Sequence, residues 1–66
     1  MLLEAFKELL NQSEEAKKGL TFYVGGQTIV GYVVRIREDG AVVEVRNQTS
    51  SVIAIRMDRV DAIAAS

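Results

Sequence analysis

The chain contains no cysteine and no histidine. Those absences exclude a disulfide framework and any thiolate or imidazole metal site, and they remove the common base that would activate a hydroxyl nucleophile. No stretch has the glycine spacing of a P-loop or a dinucleotide-binding turn. Glu14 and Glu15 fall in a solvated helical turn rather than a pocket, and Asp58 with Asp61 supplies too few oxygens for Ca²⁺. The expectation is a protein that is not an enzyme and carries no cofactor. No apolar run approaches the roughly 18 residues that span a bilayer. "MLLEAFKELL" has acids inside its apolar stretch and no small-residue cleavage site behind it, so a soluble, cytoplasmic protein with no membrane partner is expected.

Charge of one sign is lacking too. Eight Lys+Arg stand against nine Asp+Glu, a net charge of −1, so no polybasic field holds nucleic acid non-specifically and any such contact must be local. The distribution is uneven, however. Residues 1–18 carry three Lys and four Glu, whereas residues 19–66 carry five Arg, no Lys and five acids. Arginine forms bidentate, stacked and interface contacts that lysine does not, so the bias points to specific pairing. Ordinary cross-strand ion pairs are the simpler explanation.

What the chain has in quantity is apolar surface: 48% of its 66 residues. A chain of this length forms one domain, residues 1–66, and hides only about 60% of the surface that its unfolded form exposes. With no disulfide or metal to help, the excess must be covered by association, and a homo-oligomer is expected.

Leu2, Leu3, Phe6, Leu9 and Leu10 recur at three- and four-residue spacing, with Glu4, Lys7 and Glu8 elsewhere on the wheel. This predicts an amphipathic helix of about ten residues. Ser13 is positioned to cap one more turn through Lys18, with Gly19 as its stop; residues 1–18 are either one bent helix or a helix plus a turn. From Leu20 the period becomes two and β-branched residues dominate. Five strands follow: Leu20 to Val24, about Gln27 to Arg37, Ala41 to Arg46, Val52 to Arg56 and Val60 to Ala64. Gly25-Gly26 makes the first hairpin turn, Gly31 marks a bulge or sharp bend, Glu38-Asp39-Gly40 is the next turn, and Met57 to Arg59 reverses the chain before the last strand. The fold class read from this order is mainly β, an N-terminal α-helix followed by a five-stranded, strongly bent antiparallel small barrel (residues 20–64) of SH3-like or OB-like type. Strands four and five have little charge and no proline, so as edges they are unprotected against pairing with another chain. Val52, Ile53, Ala54, Ile55, Val60, Ala62 and Ile63 are the candidate interface. The alternative is that these two strands pair with each other inside one barrel.

"GQTIVGYVVRI", Gly26 to Ile36, has a glycine, an apolar Ile29, a second glycine at Gly31, then Val33 and Ile36; it resembles the first motif of the Sm/LSm family. "IRMDRVDAI" resembles the second, Ile-Arg-Gly-x-Asn-Val plus an apolar residue, through Ile55, Arg56, Val60 and Ile63. With the leading helix, the resemblance covers nearly the whole chain. It implies an Sm-like fold and a homo-oligomeric ring of about five to seven subunits in which strand four of one subunit pairs with strand five of the next. It also implies binding of single-stranded RNA, or DNA, around the pore through the loop after strand two and the turn between strands four and five. Arg37, Asp39, Arg56, Asp58 and Arg59 are then the candidate nucleic-acid-binding residues. Met57 and Arg59 stand where the family has Gly and Asn, and the family's stacking side chain and base-reading amide are replaced near Asp39 and Ala41 or Val42. A structural or scaffolding ring that binds protein, or simply assembles, would use the same architecture.

Overall fold

The computed structural model describes residues 4–65; Leu2 and Leu3 of the expected apolar stripe lie outside them. One helix, α1 (Glu4–Ala16), precedes five strands: β1 (Leu20–Val24), β2 (Gln27–Arg37), β3 (Val42–Arg46), β4 (Val52–Arg56) and β5 (Val60–Ala65). Two 3₁₀ turns, Glu38–Gly40 and Met57–Arg59, join β2 to β3 and β4 to β5. The fold is mainly β, and its strands form one antiparallel sheet in the order β4-β3-β2-β1-β5. Among the described residues β4 pairs only with β3 and β5 only with β1, so the sheet is not closed and its two ends are β4 and β5.

The core explains this arrangement. Leu10 of α1, Leu20 and Phe22 of β1, Val33 of β2, Val43 and Val45 of β3, Ile55 of β4 and Met57 of the second 3₁₀ turn are buried in one cluster. Phe6 and Leu9 of the helix cover its open side. β2 spans both halves of the sheet: residues 27–31 pair with β1, and from Tyr32 onward the strand pairs with β3. The changeover comes at Gly31, where a Cβ would lie 2.5 Å from the backbone oxygen of Arg46, closer than van der Waals contact permits. Gly31, expected to mark a bulge or sharp bend, is thus the point where two backbones come into contact.

The bulge lies elsewhere. Val33 pairs with Val45 and Arg35 with Glu44, which leaves Val34 as the extra residue. Counting in twos from buried Val33 would turn Arg35 and Arg37 into the core. The inserted residue reverses the phase, so that both arginines are exposed and Ile36 packs inward. β5 repeats the device. Val24 pairs with Val60 and Tyr23 with Ala62, so Asp61 is extra, and both Val60 and Ile63 reach the core although they are three residues apart. The Asp61 carboxylate turns back to accept the Gly25 N–H (3.2 Å).

Ser13 corrects the expectation of a local cap. The helix runs unbroken through Ser13 to Ala16 and ends with Lys17 in the left-handed region (φ 56°), two residues before Gly19. Ser13 is fully buried. The β1–β2 register, Leu20 opposite Gly31, would if extended set Lys18 opposite Val33. In its place the Val33 N–H donates to Ser13 Oγ (2.9 Å), and the hydroxyl donates to the Lys18 carbonyl (2.6 Å). One side chain thus substitutes for a ladder bond where β1 begins too late to make it. Ser13→Ala removes the bridge and leaves a buried N–H and a C=O without their partner; a loss of about 1–3 kcal/mol is expected in equilibrium denaturation. An unchanged midpoint would show that the two backbones close directly.

Candidate nucleic-acid interface

The two 3₁₀ turns meet at one end of the sheet. The Met57 N–H donates to the Ala41 carbonyl (2.9 Å), extending the β3–β4 ladder into both turns. A cleft of about 620 Å³ opens between them, lined by Glu38, Asp39, Gly40, Ala41, Val42, Arg56, Met57 and Asp58. Of the five residues expected to bind nucleic acid, Asp39, Arg56 and Asp58 share this cleft, and Arg37 and Arg59 stand beside it.

The first turn is strained. Glu38 (φ 52°) and Asp39 (φ 56°) are both left-handed, ahead of Gly40 (φ 93°). For a residue with a side chain that conformation costs about 1–2 kcal/mol, and such strain is concentrated where backbone geometry serves a site. Ala41 closes the turn by donating its N–H to the Glu38 carbonyl (3.1 Å).

The second turn is seated by Met57. At 7% exposure its side chain belongs to the core, and Met57 also forms part of the cleft wall. Arg56 and Asp58 form an ion pair (2.8 Å) with both side chains 63% exposed, a geometry that contributes at most about 1 kcal/mol in water. Arg37 pairs across the strands with Glu44 (3.0 Å) rather than with Asp39. No salt bridge engages Arg59 or Asp39 among the described residues. The residues that line the cleft include one arginine, Arg56, and three acids, Glu38, Asp39 and Asp58, so its lining is net acidic.

Family models, curated proteins and solved structures were compared with the chain, and none matches. The functional reading therefore rests on the geometry. The candidate interface residues divide by side-chain direction. Val52, Ala54 and Ala62 are exposed, Ile53, Val60 and Ile63 are partly buried against the core, and Ile55 is buried. Only the first three present side chains outward, so the other four would contribute to an interface through their backbone. Glu38 and Glu44 were not among the expected site residues. Glu38 was legible as part of the turn, whereas the pairing of Glu44 with Arg37 depends on a register displaced by the Val34 bulge.

Proposed function

We propose that the protein is an Sm-like ring-forming protein that binds single-stranded nucleic acid, RNA or DNA, through the two turns at the end of its sheet. The observation that carries the reading is the strand order, which leaves β4 and β5 at opposite ends of the sheet with nothing paired to their outer sides among the described residues. A β4 edge on one subunit and a β5 edge on the next are heterologous surfaces, and heterologous pairing closes into a ring when the rotation permits. Neither edge contains proline and each carries one charged residue, Arg56 in β4 and Asp61 in β5; their shortness and the Asp61 bulge give only partial protection against such pairing. A ring would repeat Arg37, Arg56 and Arg59 around one pore, concentrating positive charge that the net charge of the chain conceals.

The second reading is a structural ring without a nucleic-acid ligand. It is favoured by the carboxylates of the cleft and by the Arg56–Asp58 pair, which together oppose a phosphate at that spot. Light scattering tests the assembly, with a mass about five to seven times that of one chain expected and a monomer overturning the ring. Fluorescence anisotropy with U-rich RNA, A-rich RNA and single-stranded DNA at two salt concentrations tests the ligand. Binding should weaken with salt, and where the turns carry the contact Arg59→Ala should lower the salt slope by about 0.7. No binding at low salt leaves the structural ring as the function.

A further inference from the structure

The Val34 bulge gathers most of the arginines on one surface. Outward positions of β2, β3 and β4 form cross-strand rows: Tyr32 beside Arg46, Arg35 beside Glu44, and Arg37 with Arg56 on either side of Val42. Four of the chain's five arginines are exposed there. Glu44 is the one carboxylate on these three strands; it pairs with Arg37, and Asp58 reaches Arg56 from the adjoining turn. Neighbouring strands lie about 4.8 Å apart and alternate residues about 7 Å apart along a strand, so the guanidinium groups span the full width of the three-stranded face. Arg35 and Arg46 have no ion pair among the described residues. Tyr32, half-buried on the same side, supplies a ring next to Arg46.

We infer that this outer face of β2–β4 is the principal contact surface for single-stranded nucleic acid, which runs across the arginines and past Tyr32 rather than into the cleft. The inference rests on the nucleic-acid reading above and moves the contact away from the acid-lined turns. Guanidinium groups arrayed with an aromatic ring are the combination that holds a flexible phosphate backbone while its bases stack. An acidic protein segment would be drawn by the same charge but would have no use for the ring.

The experiment is an anisotropy titration of the full chain with fluorescein-labelled oligo-U RNA and with single-stranded DNA of equal length. With four phosphate contacts, affinity should fall roughly fifty-fold between about 50 and 200 mM salt, from the slope of about −0.7 per contact. The double variant Arg35→Gln, Arg46→Gln should bind weakly and show a fall of only about sevenfold over the same range. Glu44→Gln, which releases Arg37, should bind severalfold more tightly than the parent. Light scattering and circular dichroism verify that each variant keeps its assembly and fold, as exposed side chains should allow.

Loss of binding in the double variant but not in Arg59→Gln supports the face over the turns. Loss in Arg59→Gln with the double variant unaffected overturns the face and leaves the turns. Absence of binding by the parent at about 50 mM salt overturns both. Displacement of the oligonucleotide by poly-glutamate at equal charge concentration identifies an acidic polypeptide as the ligand and overturns the inference.

Discussion

If the chains pair edge to edge as proposed, replacing Ala54 with proline is expected to convert the assembly into a folded monomer. The β3–β4 ladder is phased by hydrogen bonds at its two ends: the Met57 N–H donates to the Ala41 carbonyl, and the Asn47 N–H donates to the Ser51 carbonyl (3.0 Å). Antiparallel pairs alternate between bonded and non-bonded, so the Glu44–Ala54 pair between them is non-bonded. The Ala54 N–H therefore points away from β3, off the free edge of the sheet. Proline at this position removes a donor that only a second chain could use, and proline is tolerated on edge strands when the lost N–H faces outward. The Ala54 side chain is exposed, so the ring has room. Ile53→Pro is the control, because the Val45–Ile53 pair is bonded and its loss breaks the ladder. Circular dichroism should therefore be retained in Ala54→Pro and lost in Ile53→Pro, with the light-scattering mass of Ala54→Pro falling to that of one chain. An unchanged mass in Ala54→Pro would remove β4 from the interface.

Gly31→Ala should strongly destabilise the protein. The added methyl would sit 2.5 Å from the Arg46 carbonyl oxygen and 3.4 Å from the Asn47 Cα. Both obstacles are backbone, so no rotamer change relieves the clash; β3 must move away from β2 at the point where Tyr32 pairs with Arg46. A forced displacement in a packed interior costs about 3 kcal/mol, against a total stability of about 3–10 kcal/mol for a chain of this length. Chemical denaturation should show the midpoint lowered by about a third of its value or more. Val30→Ala, next along the strand and 46% exposed, should change stability by less than about 0.5 kcal/mol. Equal midpoints for the two variants would mean that β2 and β3 can separate there at little cost.

Much of the architecture was legible because local chemistry and global packing agree. Alternation and β-branching marked β1 and β4 at their observed ends, and Gly25-Gly26 marked the first turn, where both residues have positive φ. Departures arose where a residue's role depends on a distant partner. β3 begins at Val42 rather than Ala41 because Ala41 closes the strained turn. β5 runs one residue further, to Ala65, because Leu20 pairs with it. Ser13 reads as a cap when only its neighbours in sequence are considered, since Val33 lies 20 residues away.

The site was less legible than the fold. Asp39, Arg56 and Asp58 do share a cleft, since two turns at one end of a sheet were evident from the pattern. The common face of Arg35, Arg37, Arg46 and Arg56 could not be derived from a strict two-residue period, which turns the arginines of β2 inward. Only the register with β3 reveals the extra residue at Val34.

The Ser13 hydroxyl also determines what can separate from what. A helix that packs through apolar contacts alone can lift away and leave the sheet's backbone bonds intact. Here α1 holds the Val33 N–H and the Lys18 carbonyl together from within, at the junction where the two halves of the sheet meet. Undocking the helix opens that seam, so α1 and the middle of the sheet should melt and exchange their amide protons as one cooperative unit.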